Sequence, residues 1–412
     1  MIKYNKALKI LLKSKIKIQN EIICAKDSLN RVSAKNVFSK TNYPTGNNAA
    51  FDGYAVNSRE TIGLSKKNKK NFKILKTIAA GDNPKMNNVK KYSAVEIMTG
   101  ALIPKYFNTI IPIEKITYFS NKKNTKLIVI DKKIEKNEHV RFTGSDYKRG
   151  EKIISAGEII NSSHILAFKS LGVEKIVVKR KPIIVFYSTG NEISEKKNIP
   201  SWKIRNSNSL YIKSLSNNSF FKIKDGGILR DKDDKLFKKA INNIFKSKHD
   251  IIITNGAVSA GKFDFVPRIV KNFKFTNYFK GVAIRPGKPI MFAKFKNKNK
   301  LFFGLPGNPI SSAACFRFFV YPYLRLILNI KNEKPFKAKL KNNYSKKKNF
   351  TRFLKSKFSI NKNGYLQVEV LKGQESFRIK SFTLANSWAL FRSGKSTFKK
   401  GELIDCFSVL TG

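Results

Sequence analysis

The stretch Asp250 to Asp264, DIIITNGAVSAGKFD, constrains the chain most. An apolar, β-branched run (Ile251, Ile252, Ile253, Thr254) stops abruptly at a loop carrying Gly256, Gly261, the hydroxyl of Ser259 and the carboxylate of Asp264. A run with no polar alternation reads as a strand covered on both faces. In an open parallel sheet, ligands sit outside the carboxyl ends of such strands.

The sequence from 181 to about 331 repeats that texture. A strand at 183–187 ends in Ser188-Thr189-Gly190-Asn191-Glu192, and a helix is expected at 208–215. Another strand within 220–229 stops at Arg230-Asp231, and 233–246 carries apolar side chains at 236, 237, 240, 241, 244 and 245, a helical stripe. A helix from about 264, a strand near 282–284 and a hairpin-like pair at 290–295 and 301–304 follow. Pro306-Gly307-Asn308-Pro309 then precedes a long apolar helix at 310–328, expected to face a core. Glu192, Asp231, Ser259, Asp264 and the 306–309 turn all fall just after predicted strands, where loops converge along one sheet edge. Singly, each is a turn or a helix cap.

At 412 residues the chain exceeds what one hydrophobic core serves, and three regions are expected. Residues 1–180 read as an extended helical region with an inserted β-rich module, 181–331 as a central doubly wound α/β domain, and 332–412 as a β-barrel-like C-terminal domain. Within the first, Leu8, Leu11, Leu12 and Ile16 predict an amphipathic helix over 4–18. It packs on a neighbouring domain or subunit, with a membrane-surface helix as the alternative. A second short helix is expected within 25–37. Asp52-Gly53 places a carboxylate on a bend before a strand at 54–56, for which an Asp-Gly hairpin is the bland reading. Thr99-Gly100 presents a hydroxyl at a strand end, and Asp146 lies in a polar loop between Gly144 and Gly150. A helix at 159–171 is stopped by Gly172.

The strand-end loops have a definite chemistry. Carboxylates repel one another unless they share a cation, and an oxygen-only donor set suits magnesium. Glu192, Asp231 and Asp264 are the expected metal ligands. The loop 255–261, with Gly256, Ser259 and Gly261, offers main-chain N–H groups to an anion, and Arg285 and Lys288 add two cations beside it. Pro306 and Asn308 complete the wall. Such a site suits a phosphorylated or pyrophosphate-bearing ligand.

Other features narrow the class. No run of about 18 apolar residues is present, and lysines interrupt the N-terminus too often for a signal peptide, so a cytoplasmic protein without membrane attachment is expected. Three widely spaced cysteines and three isolated histidines indicate neither a zinc site nor a disulfide framework. The net charge of +56 raises nucleic acid as a partner, but the lysines are scattered and no nucleic-acid module accompanies them. Abundant Lys, Asn, Ile and Phe match A/T-rich codons, and no specific nucleic-acid partner is expected.

Seven segments in order, AAFDGYAV, EIMTGALIP, FTGSDYKRGE, FYSTGNEI, TNGAVSAGKFDF, AIRPGKPIMFAK and GLPGNPISS, resemble the molybdopterin molybdenumtransferase family, the MoeA type to which the C-terminal part of gephyrin belongs. The resemblance covers nearly the whole chain. It implies a homodimeric enzyme of molybdenum cofactor biosynthesis that takes adenylylated molybdopterin and molybdate, inserts molybdenum and releases AMP with magnesium, with a molybdopterin adenylyltransferase as a candidate partner. Carried over by motif, the catalytic residues are Asp52, Thr99 and Asp146 from the N-terminal half and Glu192, Asp231 and Asp264 from the α/β domain, the two sets meeting across the dimer. Arg285 and Lys288 would hold the anionic ligand. Three departures stand out: Ala49-Ala50-Phe51 replaces the usual Ser-Ala-Met, Ala257 replaces a glycine, and Asn191 replaces an aspartate. A pterin-binding or scaffold protein of the same fold, without turnover, is the alternative reading.

Overall fold

The computed structural model describes residues 1–118, 127–230, 233–258 and 265–410. Its centre is a six-stranded sheet in the order Lys222–Leu229, Ile183–Thr189, Ile251–Asn255, Leu301–Leu305, Met291–Phe295, Phe275–Lys280. The first four strands are parallel, and the last two extend the sheet by antiparallel pairing. Alternate residues of Ile251–Asn255 enter different cores: Ile251 and Ile253 pack with Phe186 and Phe303, and Ile252 packs with Val185, Phe237 and Phe302. Burial on both faces explains the unbroken apolar run.

The sheet is mixed at one edge, where the hairpin-like pair expected from the sequence forms as Met291–Phe295 and Leu301–Leu305. Other expectations are corrected. The strand expected near 282–284 lies earlier, at Phe275–Lys280, a Lys/Asn-interrupted segment whose alternation is weak, while Ile284–Arg285 joins a different sheet. The helix expected over 310–328 runs as Pro309–Cys315, a π-helical turn at Phe316–Val320, and Tyr321–Ile327. Pro322 has no N–H to donate to the carbonyl of Phe318, and the hydroxyl of Tyr4 reaches that carbonyl at 3.4 Å.

The N-terminal helix is shorter than its periodicity suggested, Tyr4–Leu12, after which residues 14–18 run without helix. Ile16 is nevertheless buried, because its amide donates to the hydroxyl of Tyr323, which in turn donates to Ser14 O. Residues 25–37 hold one 3₁₀ turn, Ala25–Asp27, in place of the expected helix. The strand Asn20–Cys24 pairs with Lys175–Lys179, and Val37–Phe38 with Lys152–Ile154, so these flanks meet each other.

Between them lies a sheet in the order Thr109–Pro112, Gly53–Val56, Ser93–Ile97, Lys70–Ile78, Leu127–Ile130, Thr117–Tyr118. Gly53–Val56 is central and pairs with strands on both sides, so Asp52-Gly53 is no hairpin turn. A Cβ on Gly53 would run into the carbonyl oxygen of Ile111.

The C-terminal strands Thr351–Ile360, Leu366–Val370, Phe336–Leu340, Leu403–Ser408 and Ser387–Phe391 pair in that order. The last returns to pair with the first and closes a small barrel around Leu340, Leu354, Phe391 and Ile404. Ile284–Arg285, from the α/β region, adds to Thr351–Arg352 in parallel register, which sets Arg285 opposite Arg352.

Candidate functional site

The parallel strands end at a cavity of about 1080 Å³ lined from both the α/β region and the barrel. Asn255, the last residue of Ile251–Asn255, anchors its floor. Its buried side-chain amide donates to Pro306 O at 2.7 Å and Ser312 Oγ at 2.9 Å, and its Oδ1 accepts from Asn208 Nδ2 at 2.7 Å. Asn208 also donates to Gly307 O at 2.6 Å. One strand end, one turn and one helix start are therefore tied by side-chain amides.

Gly256 follows with φ +100°, and a Cβ there would lie 2.6 Å from Thr189 O. Ala257 also has positive φ, +49°, so a residue with a side chain occupies left-handed backbone in the ligand loop. Ser259, Gly261 and Asp264 lie outside the described residues, as does Asp231.

The remaining α/β residues named from sequence share this cavity: Glu192, Gly256, Arg285, Lys288, Pro306 and Asn308. Glu192 is exposed, with its carboxylate folded over Gly190. The loop beneath it is held by the guanidinium of Arg230, which donates to Gly190 O at 3.0 Å, Asn191 O at 3.3 Å and Ile193 O at 2.8 Å. Arg285 lies over the ring of Phe350 at 4.9 Å.

Several lining residues escaped the sequence reading. Arg352, Gln374, Glu375, Ser376 and Phe377 come from the barrel, and Arg205, Asn206 and Ser207 from the approach to the helix Ser207–Ser214. Arg352 Nε is buried without a hydrogen-bond partner among the described residues. Ser376 Oγ accepts from Asn308 Nδ2 at 2.9 Å, and Ser376 O accepts from Ile310 N at 3.1 Å, which joins the barrel to the 306–309 turn. Among the described residues, Arg285, Lys288 and Arg352 have no carboxylate partner. Three unneutralised cations at one cavity wall attract a multiply charged anion, and two of them are guanidinium forks suited to paired oxygens.

Asp52, Thr99 and Asp146 do not line this cavity within one chain. Asp52 Oδ1 accepts from the Thr99 amide at 2.6 Å and from its hydroxyl at 2.8 Å, and these bonds, the amide first, hold the carboxyl below the usual range. Asp146 lines a separate cleft of about 370 Å³ with Tyr43, Asn48 and Arg141, where Asn48 Oδ1 is buried and unpartnered. No group of three His, Cys, Asp or Glu side chains able to hold a metal occurs among the described residues.

Fold and cavity define a class: a multidomain α/β protein whose strand-end cleft, walled by a β-barrel, is lined by cations suited to an anionic ligand. Residues 2–172 match the family described as MoeA N-terminal region (domain I and II), 185–326 that described as probable molybdopterin binding domain, and 337–408 that described as MoeA C-terminal region (domain IV). The chain belongs to the MoeA family. A molybdopterin molybdenumtransferase of Staphylococcus epidermidis is 30% identical over 98% of this chain and 94% of its own. One from Staphylococcus aureus is 30% identical over 93% and 90%. The crystal structure of the molybdopterin biosynthesis moeA protein of Pyrococcus horikoshii is 25% identical, with a TM-score of 0.81 over 98% of this chain and 99% of that one.

Proposed function

We propose that this chain is a molybdopterin molybdenumtransferase that inserts molybdate into adenylylated molybdopterin and releases AMP in a magnesium-dependent step. The observation that carries the reading is the convergence of Arg285, Lys288 and Arg352, without carboxylate partners among the described residues, on one large cavity at the strand ends. A tetrahedral dianion such as molybdate finds there two guanidinium forks, an ammonium and the Ser376 hydroxyl. The remaining length of the cavity, past Gly256 and the 306–309 turn, suits the pterin and its phosphoanhydride.

Magnesium would be held by Glu192 with Asp231 and Asp264, an oxygen-only set, and would neutralise charge on the phosphoanhydride as it breaks. The protein's own contribution is alignment: Asn255 and Asn208 fix the floor, and Arg230 fixes the loop of Glu192. Asp52 and Thr99, already joined, and Asp146 would reach this cavity from a second copy in a homodimer. We further place the chain in the cytoplasm, divided at 181 and 332, with an adenylyltransferase as its supplier of substrate. The absence, among the described residues, of a helix long and apolar enough to cross a membrane is consistent with that placement.

The test is AMP release from purified protein given adenylylated molybdopterin, with molybdate and magnesium added or withheld. Release that needs both supports the transferase reading. Tight pterin binding without release would make the chain a carrier.

A further inference from the structure

Lys355 is a lysine inside a barrel wall, 1% exposed, and bonded to no carboxylate among the described residues. Its ammonium donates to three main-chain carbonyls, Gly373 O at 2.7 Å, Arg378 O at 2.9 Å and Glu375 O at 3.3 Å. Three donors meet three acceptors, so the buried charge is satisfied by one loop alone. The position in the sheet explains why a loop needs this.

Leu366–Val370 pairs with the strand of Lys355 only as far as Ser356, and after Leu371 the chain swings away towards the cavity. The side-chain amide of Gln374 then takes the place of a strand: it accepts from Lys355 N at 3.0 Å and donates to Lys355 O at 2.8 Å. Ser381 Oγ adds a bond to Gly373 O at 2.8 Å. Main chain and side chain of Lys355 together latch residues 371–378.

The latch sets the position of the loop at the cavity. Gly373, Glu375 and Arg378 carbonyls are drawn to Lys355, and the Ser376 carbonyl is taken by the amide of Ile310. Four carbonyls within six residues are thus engaged by donors, which fixes the course of the loop, and the Ser376 hydroxyl is held against Asn308 at the cavity. We infer that Lys355 is a positioning residue for oxyanion binding: it holds the barrel loop that presents the Ser376 hydroxyl to the cavity of Arg285, Lys288 and Arg352, without itself touching substrate. This rests on the proposed molybdate site.

The test is calorimetric titration of full-length protein with molybdate, and separately with adenylylated molybdopterin, for wild type and Lys355→Met, alongside thermal melts. Lys355→Met keeps the apolar stem and removes the donors, and molybdate binding is expected to weaken about tenfold or more while pterin affinity stays within about twofold. Equal molybdate affinity in the two proteins overturns the inference and leaves the functional reading intact. Parallel loss of both affinities with a large fall in Tm also overturns it, since that marks a general structural role. If the wild type binds no molybdate, the functional reading falls and the inference with it. Should Lys355→Met not fold, Ser381→Ala, which loosens the same Gly373 carbonyl, decides: about threefold weaker molybdate binding is expected, and unchanged binding overturns the inference.

Discussion

Ala257 holds its Cβ in left-handed backbone at φ +49°, directly after Gly256. An L-residue there costs about 1–2 kcal/mol, partly offset because glycine loosens the unfolded chain. Ala257→Gly should therefore raise stability by about 0.5–1 kcal/mol, read from the midpoint of urea unfolding. Asp52 makes a second test. Its carboxyl is held below the ordinary range, so its contribution to stability is present above the unfolded pKa and is lost as pH falls through the folded one. Thr99→Val removes the hydroxyl but leaves the amide, and NMR titration should find the Asp52 pKa moved part of the way back up. At this scale the sequence was informative where function needs unusual residues in compact motifs: Glu192, Gly256, Arg285, Lys288, Pro306 and Asn308 share the cavity. Arg352 and Ser376 carry no local signal. One is an ordinary residue of a strand and the other of a loop, and the pairing of Ile284–Arg285 with the barrel and the bonds of Ser376 to Asn308 and Ile310 bring them to the site.

Elements were legible where period and burial agree. The strand Ile251–Asn255 and the helix Asp234–Lys246 follow from apolar patterning alone. Phe275–Lys280 did not, because an edge strand with one exposed side has a weak pattern, and the π turn at Phe316–Val320 did not, because Pro322, whose missing N–H leaves the Phe318 carbonyl without a helical bond, sits inside an otherwise helical apolar stripe. The Asn255 knot shows what binds elements after they form. Asn255→Ala would strip partners from Pro306 O and Ser312 Oγ in a buried setting, and an expected loss of about 3 kcal/mol in chemical unfolding, with weakened ligand binding, checks it. Gly53→Ala should be as costly for the N-terminal sheet, about 3 kcal/mol, since the added methyl meets the Ile111 carbonyl and forces the edge strand Thr109–Pro112 away from Gly53–Val56.

For the whole molecule, a single chain builds its large cavity without Asp52 and Asp146. If a partner copy supplies them, Asp52→Ala and Glu192→Ala, each inactive alone, should complement when mixed: half of the random dimers are mixed, each with one intact site, so about a quarter of wild-type activity should return. A chain that works alone gives none. The N-terminal helix has a further consequence of the same long reach. Tyr4 meets Phe318 across 314 positions, and Ser14 meets Tyr323 across 309. Synthesised at roughly 5–20 residues per second, the greasy, lysine-studded first segment emerges from the ribosome some 15–60 s before its seat exists. A helix of nine residues does not hold in water without packing, so during that interval the segment waits unformed, and it takes its final shape only once residues 318–323 have been made.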